Sequence, residues 1–319
     1  MNNRFIKICS LLLLVLSNVS KADQEQFRIG LSVWSGYPQS VEGFKAGLAK
    51  SGYIEGHNVF FIERNAQANK QKQQDIADEF NASKLDLVYS LTTPGTIIIK
   101  ETLHVDTPIV FSIVTYPADS GLIESFDYSG NNLVGTSNFV PLKHYIDTLM
   151  KLLPKSQSVA IFHRKGEPNS KIQAVNLKRL LKRKKFEVID VTATDIEDLV
   201  KQANELTSSV DVFLTTTDTL MQSGGEQALI EIANKSNIPI LSSNKSSIEQ
   251  GSTFGPVADF YTLGNMSGEM AAQILSGDAT TSALESKLQT PPTILINKTQ
   301  AKRLNIIVPK SLLGVVYVE

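Results

Sequence analysis

The sequence predicts an α/β protein of two similar lobes, each a parallel sheet flanked by helices, joined by a hinge of several strands. Three observations carry this. Short apolar runs bounded by turn residues alternate with helix-spaced amphipathic stretches, the pattern of parallel sheets with right-handed crossovers. Within that pattern Ile109 to Val114 is almost wholly apolar, and Thr115, Tyr116, Pro117, Asp119 and Ser120 follow at once. Such a run reads as a strand buried on both faces, with a polar loop at its carboxyl end, where open α/β sheets hold ligands. Finally, the order of elements repeats: Asp86-Leu87-Val88-Tyr89 matches Asp211-Val212-Phe213-Leu214, and Thr107-Pro108-Ile109-Val110 matches Ile238-Pro239-Ile240-Leu241, at offsets of 125 and 131 residues.

The first lobe opens with a strand over 27–33 and a turn-rich loop, Trp34-Ser35-Gly36-Tyr37-Pro38. Ser40 is placed to cap a helix with Val41, Phe44 and Leu48 on its apolar face and Gly52 at its end. A strand at 59–62, a polar helix over 70–81, a strand at 85–91 and a helix over 96–103 follow. The apolar run is then the fourth strand, 133–139 the fifth, and Pro141 opens a helix to 153. The second lobe repeats this with strands at 158–163, 187–191, 210–215 and 238–241, and helices at 170–185, 196–206 and 225–236. Beyond Gly255 the repeat ends. A long helix over 261–276 shows Leu263, Met266, Met270 and Ile274 on one face and stops at Gly277. A strand at 291–296, a helical piece at 299–304 and an apolar tail close the chain. The expected division is 23–138 with 257–283 for the first lobe and 139–256 with 284–319 for the second. A chain that crosses more than once implies hinge closure over a ligand. Phe139 and Phe254 fall near the crossings and read as hinge packing.

Composition narrows the function. Of 319 residues, 42% are apolar, which suits one large or two medium globular domains. Residues 1–22 read as a secretory signal peptide: Arg4 and Lys7, an apolar core from Ile8 to Leu16, and Ser20-Lys21-Ala22 before the cut. The single cysteine, Cys9, lies inside it and has no lipobox. The mature chain therefore has no disulfide, thiolate nucleophile or thiolate metal site. It keeps 28 basic and 32 acidic residues, a formal −4, which speaks against a nucleic-acid partner. No other stretch approaches 18 apolar residues, so a free, soluble periplasmic protein is expected. His57, His104, His144 and His163 are scattered without metal-site spacing, and no G-x-S-x-G, P-loop or G-x-G-x-x-G occurs. No cofactor, metal or catalytic constellation is expected.

The candidate site lies at strand ends. Thr92, Thr93 and Pro94 fit either an anion held by free N–H groups and hydroxyls or plain helix capping. Glu167, Asn169 and Ser170 stand at the matching place in the second lobe, with the same two readings. Asp218 fits a ligand ammonium or an Asx-turn. Trp34, the sole tryptophan, fits stacking on a flat ligand, with Tyr116 as a second wall, or ordinary lobe packing. Thr115 and Asn244 complete the set from the two matched loops. The basic run from Lys178 to Lys185 fits permease or lipid docking, or a solvated helix face.

Several segments together resemble the substrate-binding proteins of ABC importers, tryptophan/tyrosine-type group, with the type I periplasmic-binding fold. They are Ser51-Gly52-Tyr53-Ile54-Glu55-Gly56-His57-Asn58-Val59, Leu91-Thr92-Thr93-Pro94, Thr107-Pro108-Ile109-Val110-Phe111, Gly166-Glu167-Pro168-Asn169-Ser170, Thr217-Asp218 and Gly268 to Gly277. Ile296-Asn297-Lys298-Thr299 and Val308-Pro309 to Leu312-Leu313 fit too. The resemblance implies a cleft that takes a small ligand, an amino acid or a related polar or aromatic compound, and a monomeric receptor that delivers it to an inner-membrane permease. A receptor that signals to a membrane kinase or cyclase is the alternative. Two departures stand out: relatives often carry aspartate where this chain has Tyr116, and an acid in the loop that here reads Ser242-Ser243-Asn244-Lys245-Ser246. With two negative partners missing and a lysine gained, a less cationic ligand, or one with an extra anionic group, is implied.

Overall fold

A computed structural model describes residues 26–319, so the signal-peptide reading of residues 1–22 lies outside the described residues. Two sheets organise the chain. The first contains β1 (Phe27–Val33), β2 (Val59–Asn65), β3 (Leu87–Leu91), β4 (Ile109–Ser112), β5 (Leu133–Ser137) and β11 (Lys287–Leu288), in the order β11-β5-β4-β3-β1-β2. All its pairings are parallel. Every residue of β3, β4 and β5 is buried, as expected of strands covered on both faces by helices.

The second sheet contains β6 (Ser158–Arg164), β7 (Glu187–Ala193), β8 (Val212–Thr215), β9 (Ile240–Leu241), β10 (Phe254–Val257), β12 (Thr293–Asn297) and β13 (Val315–Val318). Its order is β13-β12-β10-β9-β8-β6-β7. The β10–β12 pair is antiparallel, so this sheet is mixed rather than purely parallel. The reason is topological: the chain leaves β10 for the first lobe and re-enters from it, so β12 runs back along β10.

The helices are α1 (Pro38–Lys50), α2 (Lys70–Ala82), α3 (Thr93–Thr102), α4 (Leu142–Leu152), α5 (Pro168–Arg183), α6 (Ile196–Leu206), α7 (Glu226–Ser236), α8 (Lys245–Gln250), α9 (Phe260–Leu275) and α10 (Lys298–Arg303). Prolines at the first turn move three starts away from the sequence reading. Pro38, Pro94 and Pro168 have no N–H to leave unpaired, so α1, α3 and α5 begin at or beside them. Ser40 therefore lies inside α1 rather than capping it, and its hydroxyl meets Tyr89 Oη at 2.8 Å. The sequence reading missed α8, β10 and β13. Residues Met221–Gly225 kink the chain just before α7, where Gly224 takes φ 108°.

The chain passes between sheets three times: after β5, after β10 and after β11. The third crossing differs from the expected boundary at 283/284. Residues Lys287 and Leu288 pair with Thr136 and Ser137 of the first sheet. Ser286 anchors them by its N–H to Phe126 O and by accepting from Gly135 N–H. Phe254 sits wholly inside the second-lobe core, while Phe139 is at the first crossing against Tyr116, ring centroids 5.3 Å apart. Helix α9 returns to the first lobe and buries Met270 and Ala271 there.

Candidate functional site

Each sequence-predicted site residue follows the carboxyl end of a strand, and all but the half-buried Pro94 are buried. On the first lobe, Trp34 follows β1, Thr92 to Pro94 follow β3, and Thr115 and Tyr116 follow β4. On the second, Glu167 to Ser170 follow β6, Asp218 follows β8, and Asn244 follows β9. The lobes touch. Ser35 Oγ lies 3.5 Å from Ser223 Oγ across the cleft. A cavity of about 290 Å³ has Trp34, Pro94 and Ile98 on one wall and Arg164, Glu167 and Pro168 on the other. A second, about 390 Å³, lies between Ser35, Asn65 and Gln67 and Arg164, Thr219 and Ser223. A larger cavity of about 770 Å³ opens beside Ser158, Glu187 and Asp211, at the amino ends of β6, β7 and β8. That is the opposite end of the sheet from the one where α/β folds hold ligands.

The first-lobe wall has polar atoms without partners. Thr92 precedes α3 with φ 69° and ψ 158°, and its side chain makes no cap hydrogen bond. Its hydroxyl and that of Thr93 are buried without a partner, as are Trp34 Nε1 and Tyr116 Oη. A positive φ on a β-branched residue costs on the order of 1–3 kcal/mol and gathers at functional sites. Ile113, at the end of neighbouring β4, shares this strain with φ 56°. Plain capping thus does not account for Thr92. Trp34 serves both readings: its ring packs with Ala66, Ile98 and Phe111 and lines the smaller cavity. Burial, and then Tyr145 and Asp119, push the Tyr116 hydroxyl well above its ordinary pKa. Thr115 contributes its carbonyl, which accepts from Ser137 Oγ at 2.9 Å.

The second-lobe wall is more self-contained. Glu167 accepts from Thr219 N–H at 3.1 Å, from the Thr219 hydroxyl, and from Arg164 Nη1 at 3.2 Å. Its carboxylate turns to Thr219 and Arg164 and makes no cap hydrogen bond to α5. The Ser170 hydroxyl donates back to Arg164 and Glu167 carbonyls at 3.3 Å, a turn role. Asn169 donates to Thr217 O at 2.6 Å and leaves Oδ1 buried without a partner. Asp218 accepts from Arg164 N–H at 2.8 Å, from Met221 N–H at 2.9 Å and from Thr216 Oγ1 at 2.9 Å. Burial first, and the nearby Glu167 second, raise its pKa, against those donors. Burial likewise raises Glu167. Tyr37, across the cleft, feels both acids and Arg164.

The lysine gained in the loop after β9 is neutralised. Lys245 Nζ lies 2.6 Å from Asp259 Oδ2, so it supplies no free positive charge for an anionic ligand. Sequence reasoning missed Arg164, Tyr37, Thr219, Asn138 and Gln222. Asn138 Oδ1 is buried and unpartnered at the first crossing. Position just beyond a buried strand was the available signal for Asn138 and Thr219. Among the described residues no group of three His, Cys, Asp or Glu is placed to hold a metal ion.

Two sheet lobes closed over a cleft at their strands' carboxyl ends define a bilobed ligand-binding protein of the type I periplasmic-binding fold. The chain belongs to the ABC transporter substrate binding protein family, which matches residues 35–316. It is a solute-binding receptor of an ABC transporter. It is 29% identical over 263 residues to a tyrosine-binding protein of Clostridioides difficile, covering 82% of this chain and 76% of that one. A conserved domain protein of Vibrio cholerae superposes with TM-score 0.87 at 24% identity, covering 92% of this chain and 100% of that one. A pneumococcal ABC domain in complex with L-Trp superposes with TM-score 0.86 at 23% identity and the same coverage. At those identities the two solved structures speak for the fold alone. Among the described residues no helix is long and apolar enough to cross a membrane.

Proposed function

We propose that this chain is a periplasmic receptor for an amino acid with a large or aromatic side chain, which it hands to an inner-membrane permease without chemical change. Residues 1–22 act as its signal peptide, and it works as a free monomer. The observation that carries the ligand class is the set of buried, unpartnered polar atoms drawn from both lobes: the Thr92 and Thr93 hydroxyls, Trp34 Nε1, Tyr116 Oη and Asn169 Oδ1. Buried polar atoms are almost always bonded, so a cluster of exceptions along one cleft marks where a polar ligand supplies the partners. The carboxylate of the ligand meets α3, where the two hydroxyls and the helix N-terminus favour an anion. Its ammonium meets the second lobe, where Asn169 Oδ1 is a buried acceptor without a partner. Pairing of Lys245 with Asp259 removes the reason to expect an extra anionic group. The named ligands of two relatives, tyrosine and L-Trp, support the same class.

Thermal unfolding with L-tryptophan, L-tyrosine, L-phenylalanine, L-glutamate and glucose tests this. A ligand at 100 times its Kd stabilises by about 2.7 kcal/mol. Stabilisation by the aromatic amino acids, with a change in Trp34 fluorescence, is expected. Response to glucose alone, or to none of the amino acids, overturns the reading.

A further inference from the structure

We propose that the basic end of the second lobe, formed where α4 and α5 finish, docks the receptor reversibly on an anionic lipid surface while its cleft stays free. The run from Lys178 to Lys185 has six basic residues in eight. Lys178 is paired with Asp190 at 3.1 Å. Arg179, Lys182, Arg183, Lys184 and Lys185 are exposed and join no ion pair among the described residues. Lys151 on α4 and Lys155 just beyond it are exposed and equally without an acid. The cavity of about 770 Å³ joins the two groups, with Met150, Pro154 and Ser156 on one side and Lys184, Lys185 and Phe186 on the other. Its acids are Glu187 and Asp211, and Asp211 already accepts from the N–H groups of Gln157 and Ser158 at 2.7 and 2.9 Å. The whole chain is formally −1, so acids are in excess elsewhere, and the charged end orients the molecule in the field of an anionic surface.

The helix dipole accounts for cations in a last turn, but not for Lys155 beyond α4 or for Lys184 and Lys185 beyond α5. Lys185 has φ 66°. Its N–H donates to Lys182 O at 3.0 Å, and Phe186 N–H donates to Leu181 O at 3.1 Å, the bonds of a helix end whose left-handed residue is ordinarily glycine. A lysine there gives up backbone ease and keeps a charge. Met150, 41% exposed, and the half-buried Phe186 lie among the cations. A bilayer interface offers phosphates to the lysines and apolar contact to these two side chains, whereas a soluble polyanion offers charge alone. Clusters of about four to eight Lys or Arg on an amphipathic helix are the pattern of anionic-lipid binding. Placement separates this surface from ligand transfer. Helix α5 leaves the carboxyl end of β6 and finishes where β7 begins, at the amino ends of the strands. The cleft lies at the carboxyl ends, so a permease that draws ligand from it meets the other end of the lobe. Docking by the basic end therefore keeps the receptor beside the membrane with its cleft open to ligand.

Co-sedimentation with vesicles tests this, using phosphatidylcholine alone and phosphatidylcholine with about 30% phosphatidylglycerol. The protein is expected to partition at least about tenfold more strongly onto the anionic vesicles at about 50 mM salt, and to lose that preference at about 500 mM, where the field is screened within a few ångströms. A combined Lys182→Gln, Arg183→Gln and Lys184→Gln variant changes only exposed side chains and is expected to weaken partition at least about tenfold. Lys185→Gly removes one charge and relaxes the backbone, so it is expected to raise the urea midpoint while weakening vesicle binding by about threefold or more. A solvated face with no lipid role would give the higher midpoint with unchanged partition. Equal partition onto neutral and anionic vesicles, or an unchanged partition in the triple variant, overturns the proposal. Binding to poly-L-glutamate without binding to the anionic vesicles assigns the surface to an acidic protein and overturns it too. None of these results depends on which ligand the cleft takes.

Discussion

Lys245 Nζ lies 2.6 Å from Asp259 Oδ2, and this pair ties the loop after β9 to the hinge. Asp259 caps α9 through Thr262 N–H at 2.9 Å, and its own N–H donates to Gln289 of the third crossing at 2.7 Å. Two crossings and a candidate ligand loop therefore meet at one residue, Asp259. Burial alone would raise its pKa, but the Lys245 ammonium and the Thr262 N–H and hydroxyl hold it below the ordinary value. Both side chains are partly exposed, 33% and 25%, so solvent screens the pair. A double-mutant cycle of Lys245→Met and Asp259→Asn is expected to give a coupling of about 0.5–1 kcal/mol in urea unfolding. Because the native pKa of Asp259 is lowered, its contribution is present above the unfolded value near ~4 and fades as pH falls through the native one. Zero coupling at pH 7 would show that the tether does not hold the hinge.

Thr93→Val separates a ligand role from a structural one. The Thr93 hydroxyl is buried without a partner, and valine has nearly its shape. Removing an unsatisfied polar group leaves stability unchanged or slightly higher. Losing a hydrogen bond to a ligand carboxylate weakens binding by about 1.5–3 kcal/mol, roughly tenfold or more. Unfolding midpoint and amino-acid affinity, measured together, decide the matter. Loss of stability with unchanged affinity would make Thr93 part of the scaffold.

The strands that organise the fold were legible because burial on both faces leaves an unbroken apolar signature, as in Ile109 to Phe111 and Val212 to Leu214. What escaped has physical causes. Strand β13 is a half-exposed edge with Val316 and Tyr317 facing solvent, so its pattern carries no buried face. Helix α8 is six residues, too short for a period. The third crossing is set by Ser286 and by a two-residue strand that pairs across 151 residues of chain, which no local pattern records. At the site, the residue types and their strand-end placement could be read. Whether Glu167 and Ser170 faced a ligand or their own lobe could not, because that depends on Thr219 and Arg164 arriving from elsewhere.

Asp218 gives a stability dependence on pH of unusual sign. Burial and the nearby Glu167 push its pKa up to about 7. Between the unfolded value near ~4 and that native value, the folded state holds a proton the unfolded state has released. Stability from this group therefore falls as pH rises through that window. Urea unfolding at pH 5 and pH 8 is expected to show a smaller decline for Asp218→Asn than for the unmodified protein. Asparagine keeps one acceptor for the N–H groups of Arg164 and Met221, so the variant tests charge more than shape. An identical decline in both proteins would place the titrating group elsewhere.

Gly47→Ala tests the contact that fixes α9 to the first lobe. A Cβ on Gly47 would stand 2.2 Å from Asn265 O, and one on Gly268 would stand 2.3 Å from Phe44 O. Gly43 and Gly264 make equally close approaches, so α1 and α9 touch backbone to backbone over two turns. Two effects oppose each other in the variant. Alanine in a helix interior gains about 1 kcal/mol over glycine in propensity. Overpacking costs about 1–3 kcal/mol when a side chain can move aside, and here the obstacle is a carbonyl that cannot rotate away. The steric effect wins, and a net loss of about 1–2 kcal/mol is expected, read as a lower urea midpoint with unchanged slope. Helix α9 begins directly after the second crossing, so parting it from α1 also shifts the hinge. A weaker affinity for the best amino-acid ligand is expected alongside. Net stabilisation, the outcome of propensity alone, would show that the two helices have room to spare.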